Sequence, residues 1–236
     1  MKYSFIVVDI ETTGISPTMN TITEIGALKV VDDKIVGTYS QLVNPQAIVT
    51  EQITQITGLT NEILKNEPIL SDIFGEFIDF CEDLPILGHN IMFDFSFLKY
   101  HGNKLGYEFE RKGLDTYKLA TYYVPDLRSK SLTSLIEYFG INREHAHRAF
   151  HDAKATYELF RFFKDDYMHE GEEHLFIPTV LHWKAKKTSP ITLRQKSFLN
   201  SLIKQHEMFT DIEVDKLSKS EASRYIDKIL FVKGQQ

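Results

Sequence analysis

The sequence predicts a mixed α/β domain followed by a small helical module, and three observations carry that expectation. Apolar runs of strand length come first in the chain, and apolar residues at helical spacing follow them around a further short strand. The charge then changes sign. Residues 1–183 hold 16 Lys/Arg against 27 Asp/Glu, a net of −11, whereas residues 184–236 hold 11 against 6, a net of +5.

Tyr3 to Asp9 is a β-rich apolar run (Phe5, Ile6, Val7, Val8) that reads as a buried central strand. Ile22 to Val31 and Ile35 to Val43 follow as two strands joined through Asp32-Asp33-Lys34, most simply as a hairpin. From Leu70 the apolar residues fall at 70, 73, 74, 77, 78 and 81, the spacing of one helix face, with Ser71 as the expected cap. Cys81 lies on that stripe, so a buried reduced thiol is expected. Pro85 to His89 reads as a short strand leading into a Phe-rich helix that begins near Asp94. Ser131 to Phe139 and Asp152 to Phe163 are two more helices, the first stopped by Gly140. The expected domains are 1–167, a linker over 168–190 where periodicity fades and Lys184, Lys186 and Lys187 cluster, and a basic helical module over 191–236. In the last, Thr192 to Gln205 and Ser218 to Val232 are the helices, the second opened by the capping box Ser218-Lys219-Ser220-Glu221.

With 42% apolar and 25% charged residues the chain has the composition of a globular protein. No run approaches the roughly 18 apolar residues that cross a bilayer, and the start lacks a signal peptide's pattern, so a cytoplasmic protein without membrane attachment is expected. An acidic body does not suit gripping long duplex DNA by phosphate neutralisation. It suits a site that borrows positive charge from metal ions.

Side chains two apart on a strand share a face, so Asp9 and Glu11 in VVDIETTG project together. Two such carboxylates repel unless a cation lies between them; the alternative is a solvated strand end. Asp94 in GHNIMFDFSFL and Asp152 in HRAFHDA each stand at a helix start, where a carboxylate also serves plain structure. Four acids from separate segments nevertheless make an oxygen-ligand set for hard divalent cations. His147, five residues before Asp152, is the candidate general base, since histidine titrates near neutrality, with a surface loop histidine as the alternative. His145, His147 and His151 also allow zinc. No cysteine lies nearby and the other donors are acids, so magnesium or manganese is the expected cation.

VVDIETTG, GHNIMFDFSFL and HRAFHDA together resemble the three motifs of the DEDDh (DnaQ-like) 3′–5′ exonuclease family, which includes the proofreading subunit of bacterial DNA polymerase III and the exonuclease domain of the Gram-positive replicative polymerase. The match covers residues 1 to about 167. The resemblance implies an RNase H-like mixed sheet with flanking helices. It implies 3′–5′ removal of nucleotides from single-stranded ends, DNA favoured over RNA, releasing nucleoside 5′-monophosphates, with DNA replication, DNA repair and RNA turnover all open as its role. Asp9, Glu11, Asp94 and Asp152 would hold two divalent ions, Mg2+ or Mn2+, about 3.5–4 Å apart, and His147 would take a proton from the attacking water. Thr12 and Thr13 match positions that meet the terminal nucleotide. Ile56-Thr57-Gly58-Leu59 matches a segment that wedges beside the last base, Thr57 standing where relatives often carry histidine, and Ile53, Ile56 and Leu59 read equally as core. His89 and Asn90 match supporting positions. The alternatives are an RNA-end-trimming enzyme of the same fold and a non-catalytic nucleic-acid-binding or polymerase-tethering module. No polymerase domain follows, so a freestanding nuclease is expected, and a polymerase partner stays open. The tail resembles a small helical module attached to some nucleases and phage recombination proteins, with Gln195 and SKSEAS as its recognisable parts. Its charge could draw nucleic acid, or it could be a solvated helix pair.

Overall fold

Strand β1 (Phe5–Thr12) is the axis on which the first unit is built. It pairs antiparallel with β2 (Ile22–Val31), which pairs antiparallel with β3 (Lys34–Leu42). Asp32 and Asp33 both take left-handed backbone angles (φ 50° and 66°), the two-residue turn whose twist matches a hairpin. The computed structural model describes residues 2–144, 146–185, 189–206, 209 and 212–233; His145, Lys186 and Lys187 lie outside them.

Two short helices follow, α1 (Glu51–Thr57) and α2 (Asn61–Leu64), each opened by a threonine hydroxyl that accepts from a backbone amide: Thr50 from Ile53 and Thr60 from Ile63. Helix α3 (Leu70–Cys81) buries Ile73, Phe74, Phe77 and Cys81, the stripe expected from spacing. Its cap corrects the sequence reading. The helix opens at Ile69 with no side-chain cap, and the Ser71 hydroxyl donates to Asp72 instead. Strand β4 (Ile86–Gly88) leads into α4 (Met92–Lys104), which starts two residues before Asp94. Next come β5 (Lys112–Asp115), α5 (Thr116–Tyr123) and α6 (Leu132–Phe139), the last capped by Ser131 and closed by left-handed Gly140. Helix α7 spans Ala149–Phe162 and runs on into a π-helical turn, Phe163–Tyr167. It begins three residues before Asp152, so that carboxylate sits in the first turn.

The segment expected as a linker after residue 167 contributes to this unit. A 3₁₀ turn (Glu173–Phe176) and strand β6 (Thr179–Val180) pack there, Phe176 and Leu181 are buried, and β6 pairs antiparallel with β5. The sheet order is β3-β2-β1-β4-β5-β6, with β1, β4 and β5 parallel, a six-stranded mixed sheet with helices on both faces. One face packs Ile6, Val8 and Ile10 against α3 and α4. The other packs Phe5, Val7, Leu87 and Leu114 against α5, α6 and α7. Among the described residues nine phenylalanines, including Phe5, Phe74, Phe95 and Phe160, are fully buried, each stabilising the fold by roughly 1.5–3 kcal/mol through burial.

Residues 185–236 form a separate compact unit. Helices α8 (Leu193–His206) and α9 (Lys219–Lys233) enclose Leu199, Leu202, Ala222 and Ile229, with a 3₁₀ turn (Val214–Lys216) between them. The capping box forms: the Ser218 amide donates to Glu221 Oε2 at 2.6 Å and the Glu221 amide to Ser218 Oγ at 3.2 Å. Gln195 Nε2 donates to Lys219 O and to Ser223 Oγ, both at 2.9 Å, so the recognisable residues of this module are the ones that clamp α8 to α9.

Candidate active site

Alternation along β1 positions the first two carboxylates. Phe5 and Val7 face α7, and Asp9 and Glu11 continue that stripe at the strand's end. Strand β4 pairs with β1 only as far as Val7. Beyond that point the Ile10 amide has lost its parallel neighbour, and Asp94 Oδ1 accepts from it at 3.0 Å. A buried backbone donor must be satisfied. One acid on α4 does that and is thereby fixed at the end of β1.

Asp152 arrives from the other side because α7 lies unusually close to the sheet. Gly26, the partner of Asp9 across the β1–β2 ladder, permits it: a Cβ there would stand 2.1 Å from Phe150 N and 2.2 Å from Ala149 C. Helix α7 has no cap of its own at Arg148. Buried Glu24, opposite Glu11 on β2, supplies one, accepting from the Ala149 amide at 3.3 Å and from Arg148 Nε at 3.2 Å. A carboxylate at a helix N-terminus is favoured by the helix dipole. Arg148 in the HRA segment is thus a structural partner of Glu24.

Glu11, His147 and Asp152 bring ligand atoms within 4.8 Å of one another. His147 is exposed and holds a left-handed φ of 57°, an unusual conformation for a residue with a side chain and one that costs on the order of 1 kcal/mol or more. Asp9 carries no atom in that three-residue group, but it lies where the charges of Asp94, Asp152, Glu11 and Glu24 all act on it. Burial first, and then those neighbours, hold its carboxyl well above the usual range. Glu11 is raised to about 8 by burial and then by Asp152, Glu24 and Asp94. Asp94 is also raised to about 8, by burial, with the amide of Ile10 pulling the other way. Asp152 is raised by burial and partly relieved by the Arg143 guanidinium and His147.

Such a cluster is short of positive charge. Arg143 Nε stands 3.3 Å from Asp152 Oδ1, yet neither that oxygen nor the buried Arg143 Nη2 completes a hydrogen bond among the described residues. An orphaned buried carboxylate oxygen, three neighbouring acids with raised pKa values and an adjacent imidazole fit divalent cations as the missing counter-charge. Asp9, Glu11, Asp94 and Asp152 are the residues that could hold them.

The substrate candidates fare differently. The Thr12 hydroxyl donates to Gly14 O at 2.7 Å and Thr13 Oγ1 accepts from the Thr21 amide at 3.0 Å, so both shape the loop leaving β1. Ile56 is 48% exposed at the end of α1, available to a ligand, whereas Thr57 is buried, donating to Ile53 O and accepting from the Leu59 amide. Leu59 belongs to a small apolar cluster with Val49 and Leu64, and Ile53 packs against it. Asn90 is exposed with φ 60°, its amide held by Asp115 Oδ1 at 2.8 Å. His89 ties β4 to the segments after it, through Thr116 Oγ1 at 2.9 Å and Lys130 O at 2.7 Å, and burial lowers its pKa.

Sequence reasoning missed Glu24, Gly26 and Arg143. The first two lie on β2 across from Glu11 and Asp9, a register that only strand pairing reveals; Arg143 sits four residues before His147, and that closeness was the available signal. A concavity of about 430 Å³ on the outer side of α7 is lined by Arg143, His151, Lys154 and Arg161 and by Glu144, Glu158, Asp165 and Asp166. Its charges offset one another and none of the five motif residues lines it.

The model of the RNase T family, described as Exonuclease, matches residues 6–160. The DNA polymerase III PolC-type protein of Caldanaerobacter subterraneus subsp. tengcongensis is 40% identical over 160 residues, covering 68% of this chain and 11% of that protein. The chain thus spans about a tenth of the length of the PolC-type relatives it matches. The DNA polymerase III subunit epsilon of Aquifex aeolicus is 34% identical over 158 residues, 66% of this chain and 78% of that one. Among solved structures, E. coli exonuclease I in complex with a dT13 oligonucleotide aligns with TM-score 0.63 and 20% identity, over 74% of this chain and 43% of that one. The nuclease domain of 3'hExo, a DEDDh family member bound to rAMP, aligns with TM-score 0.61 and 17% identity, over 78% and 98%. These neighbours share the RNase H-like fold expected above. With its family model spanning most of the first unit and the acids of all three motifs gathered at one end of β1, the chain belongs to the RNase T exonuclease family.

Proposed function

We propose that the protein is a metal-dependent 3′–5′ exonuclease that removes nucleoside 5′-monophosphates from single-stranded 3′ ends, DNA in preference to RNA. The observation that carries this is the convergence of Glu11, His147 and Asp152 within 4.8 Å, beside Asp9 and Asp94, whose carboxyls are raised by burial among like charges. Bound magnesium or manganese would supply Lewis-acid activation of water and charge stabilisation at the scissile phosphate. Asp9, Glu11, Asp94 and Asp152 would hold the ions. His147, exposed at the rim on a fixed left-handed backbone, would accept the proton of the attacking water. Water oxygen bonds to phosphorus, the bond to the 3′ oxygen breaks, and that oxygen takes a proton from solvent. Ile56, Thr12, Thr13 and Asn90 are the proposed contacts of the terminal nucleotide, and Thr57, buried in its own helix end, would act by shaping Ile56's loop. Likeness to polymerase III chains extends the proposal to work beside a DNA polymerase.

A 5′-labelled oligonucleotide incubated with the protein and magnesium should give a ladder shortened from the 3′ end, with the matched RNA degraded more slowly. An intact substrate after full metal loading contradicts the reading and leaves a binding module; faster loss of the RNA reverses the substrate preference.

A further inference from the structure

Helices α8 and α9 leave a groove of about 900 Å³ on the surface of the second unit. Arg194 and Lys219 line it, and no carboxylate among the described residues forms an ion pair with either. Ser197 adds a hydroxyl, whereas the Ser201 hydroxyl is spent on Phe198 O at 2.7 Å, and Phe198, 46% exposed, and Ile226 add apolar surface. Lys196 and Lys216, by contrast, are occupied by Asp215 and Glu213. Two cations without acidic partners there, a serine hydroxyl and an outward aromatic ring form the combination that takes a single-stranded nucleic acid, with phosphates on the cations and an unpaired base on the ring. Gln195, the side chain best suited to reading a base edge, is consumed. Its Nε2 donates to Lys219 O and Ser223 Oγ, and its Oε1 accepts from Thr192.

We propose that the α8–α9 groove is a second, sequence-independent binding site for single-stranded nucleic acid, with Arg194 and Lys219 on phosphates and Phe198 stacked on a base. The inference rests on the nucleic-acid substrate proposed for the first unit. A chain of net −11 over residues 1–183 repels a polyanion, and a site on the same polypeptide raises the local concentration of 3′ ends while leaving the carboxylate cluster unchanged.

The test is fluorescence anisotropy of a labelled oligothymidylate with the full chain in chelator, where cutting is blocked. The double variant Arg194→Glu/Lys219→Glu should bind about tenfold or more weakly, and its log affinity against log salt should be shallower by about 1.4, or about 0.7 for each phosphate of a single strand that is no longer neutralised. Phe198→Ala should weaken binding by at least about fivefold with the salt slope kept, and it keeps the test sharp if the charge-reversed chain misfolds. Affinity unchanged in these variants overturns the proposal and assigns the groove to a protein segment. Hydrolysis of a trinucleotide at saturating concentration with magnesium, which does not depend on capture by a second site, should be unaltered in both variants. If the wild type fails to cut it, the exonuclease reading falls while the anisotropy still decides the groove.

Discussion

The two units handle charge in opposite ways. In the first, acids drawn from β1, α4 and α7 are packed into one place, where burial holds Asp94 at about 8 and burial with the charges of Asp152, Glu24 and Asp94 holds Glu11 at about 8. In the second, acids are spent locally: Asp215 and Glu213 pair with lysines and Glu221 caps its own helix, leaving Arg194 and Lys219 outward. Surface pairs of this kind contribute little to stability, whereas buried like charges are expensive unless something of opposite sign joins them. The contrast teaches that the first unit is built around a ligand it must acquire and the second around its own helix contacts.

The largest effect should come from breaking that contrast at its centre. Asp9→Asn should lower nucleotide release by more than about a hundredfold, the scale on which one preorganised charge-stabilising group acts, while the metal-free melting temperature holds or rises because repulsion is relieved. Retained activity would remove Asp9 from the site. Next, Gly26→Ala pushes a methyl group into the α7 backbone. It should cost about 3 kcal/mol, read as a melting temperature lower by on the order of 10 °C, and activity should fall with it because Asp152 rides on α7.

The pH dependence sharpens the comparison. Glu11 and Asp94 hold protons in the folded chain that the unfolded chain has already released, so their contribution is complete below about pH 4 and lost as pH rises through about 8. His89 and His101 are depressed by burial and act oppositely, but below about pH 6.5. Metal-free protein should therefore melt lower at about pH 8 than at about pH 7, Glu11→Gln should flatten the fall, and magnesium should stabilise more at the higher pH. A metal-free melting temperature that rises over this interval would contradict the crowded-carboxylate account. Arg143→Gln removes a cation beside Asp152, and the magnesium concentration for half-maximal stabilisation should drop about fivefold, the weight of a charge interaction near 1 kcal/mol. Smallest of all, Lys65→Ala breaks an exposed pair with Glu62 and should change stability by less than about 0.5 kcal/mol in a chemical melt.

Much of this was legible in the residues because it depends on short-range pattern. The β1 run, the α3 stripe, the Ser131 and Gly140 boundaries of α6 and the Ser218 capping box all follow from local spacing, and the motif acids announce themselves by recurring at element ends. What stayed hidden is set by distant partners. Strand β5 is four residues with a glycine inside and β6 is two, too short for any period; both exist because β4 and then β5 offer an edge. The Ser71 cap failed because the chain entering α3 bridges Asn44 to Ile69, which fixes Ile69 as the boundary. Glu24 reads as one more strand residue until Arg148 and the start of α7 are brought to it from 124 positions away.

The most direct measurement is anomalous diffraction from crystals soaked in manganese. The account predicts signal between Asp9, Glu11, Asp94 and Asp152, lost in the Asp152→Ala crystal. Manganese bound elsewhere, or none at the end of β1 under saturating metal, would contradict it.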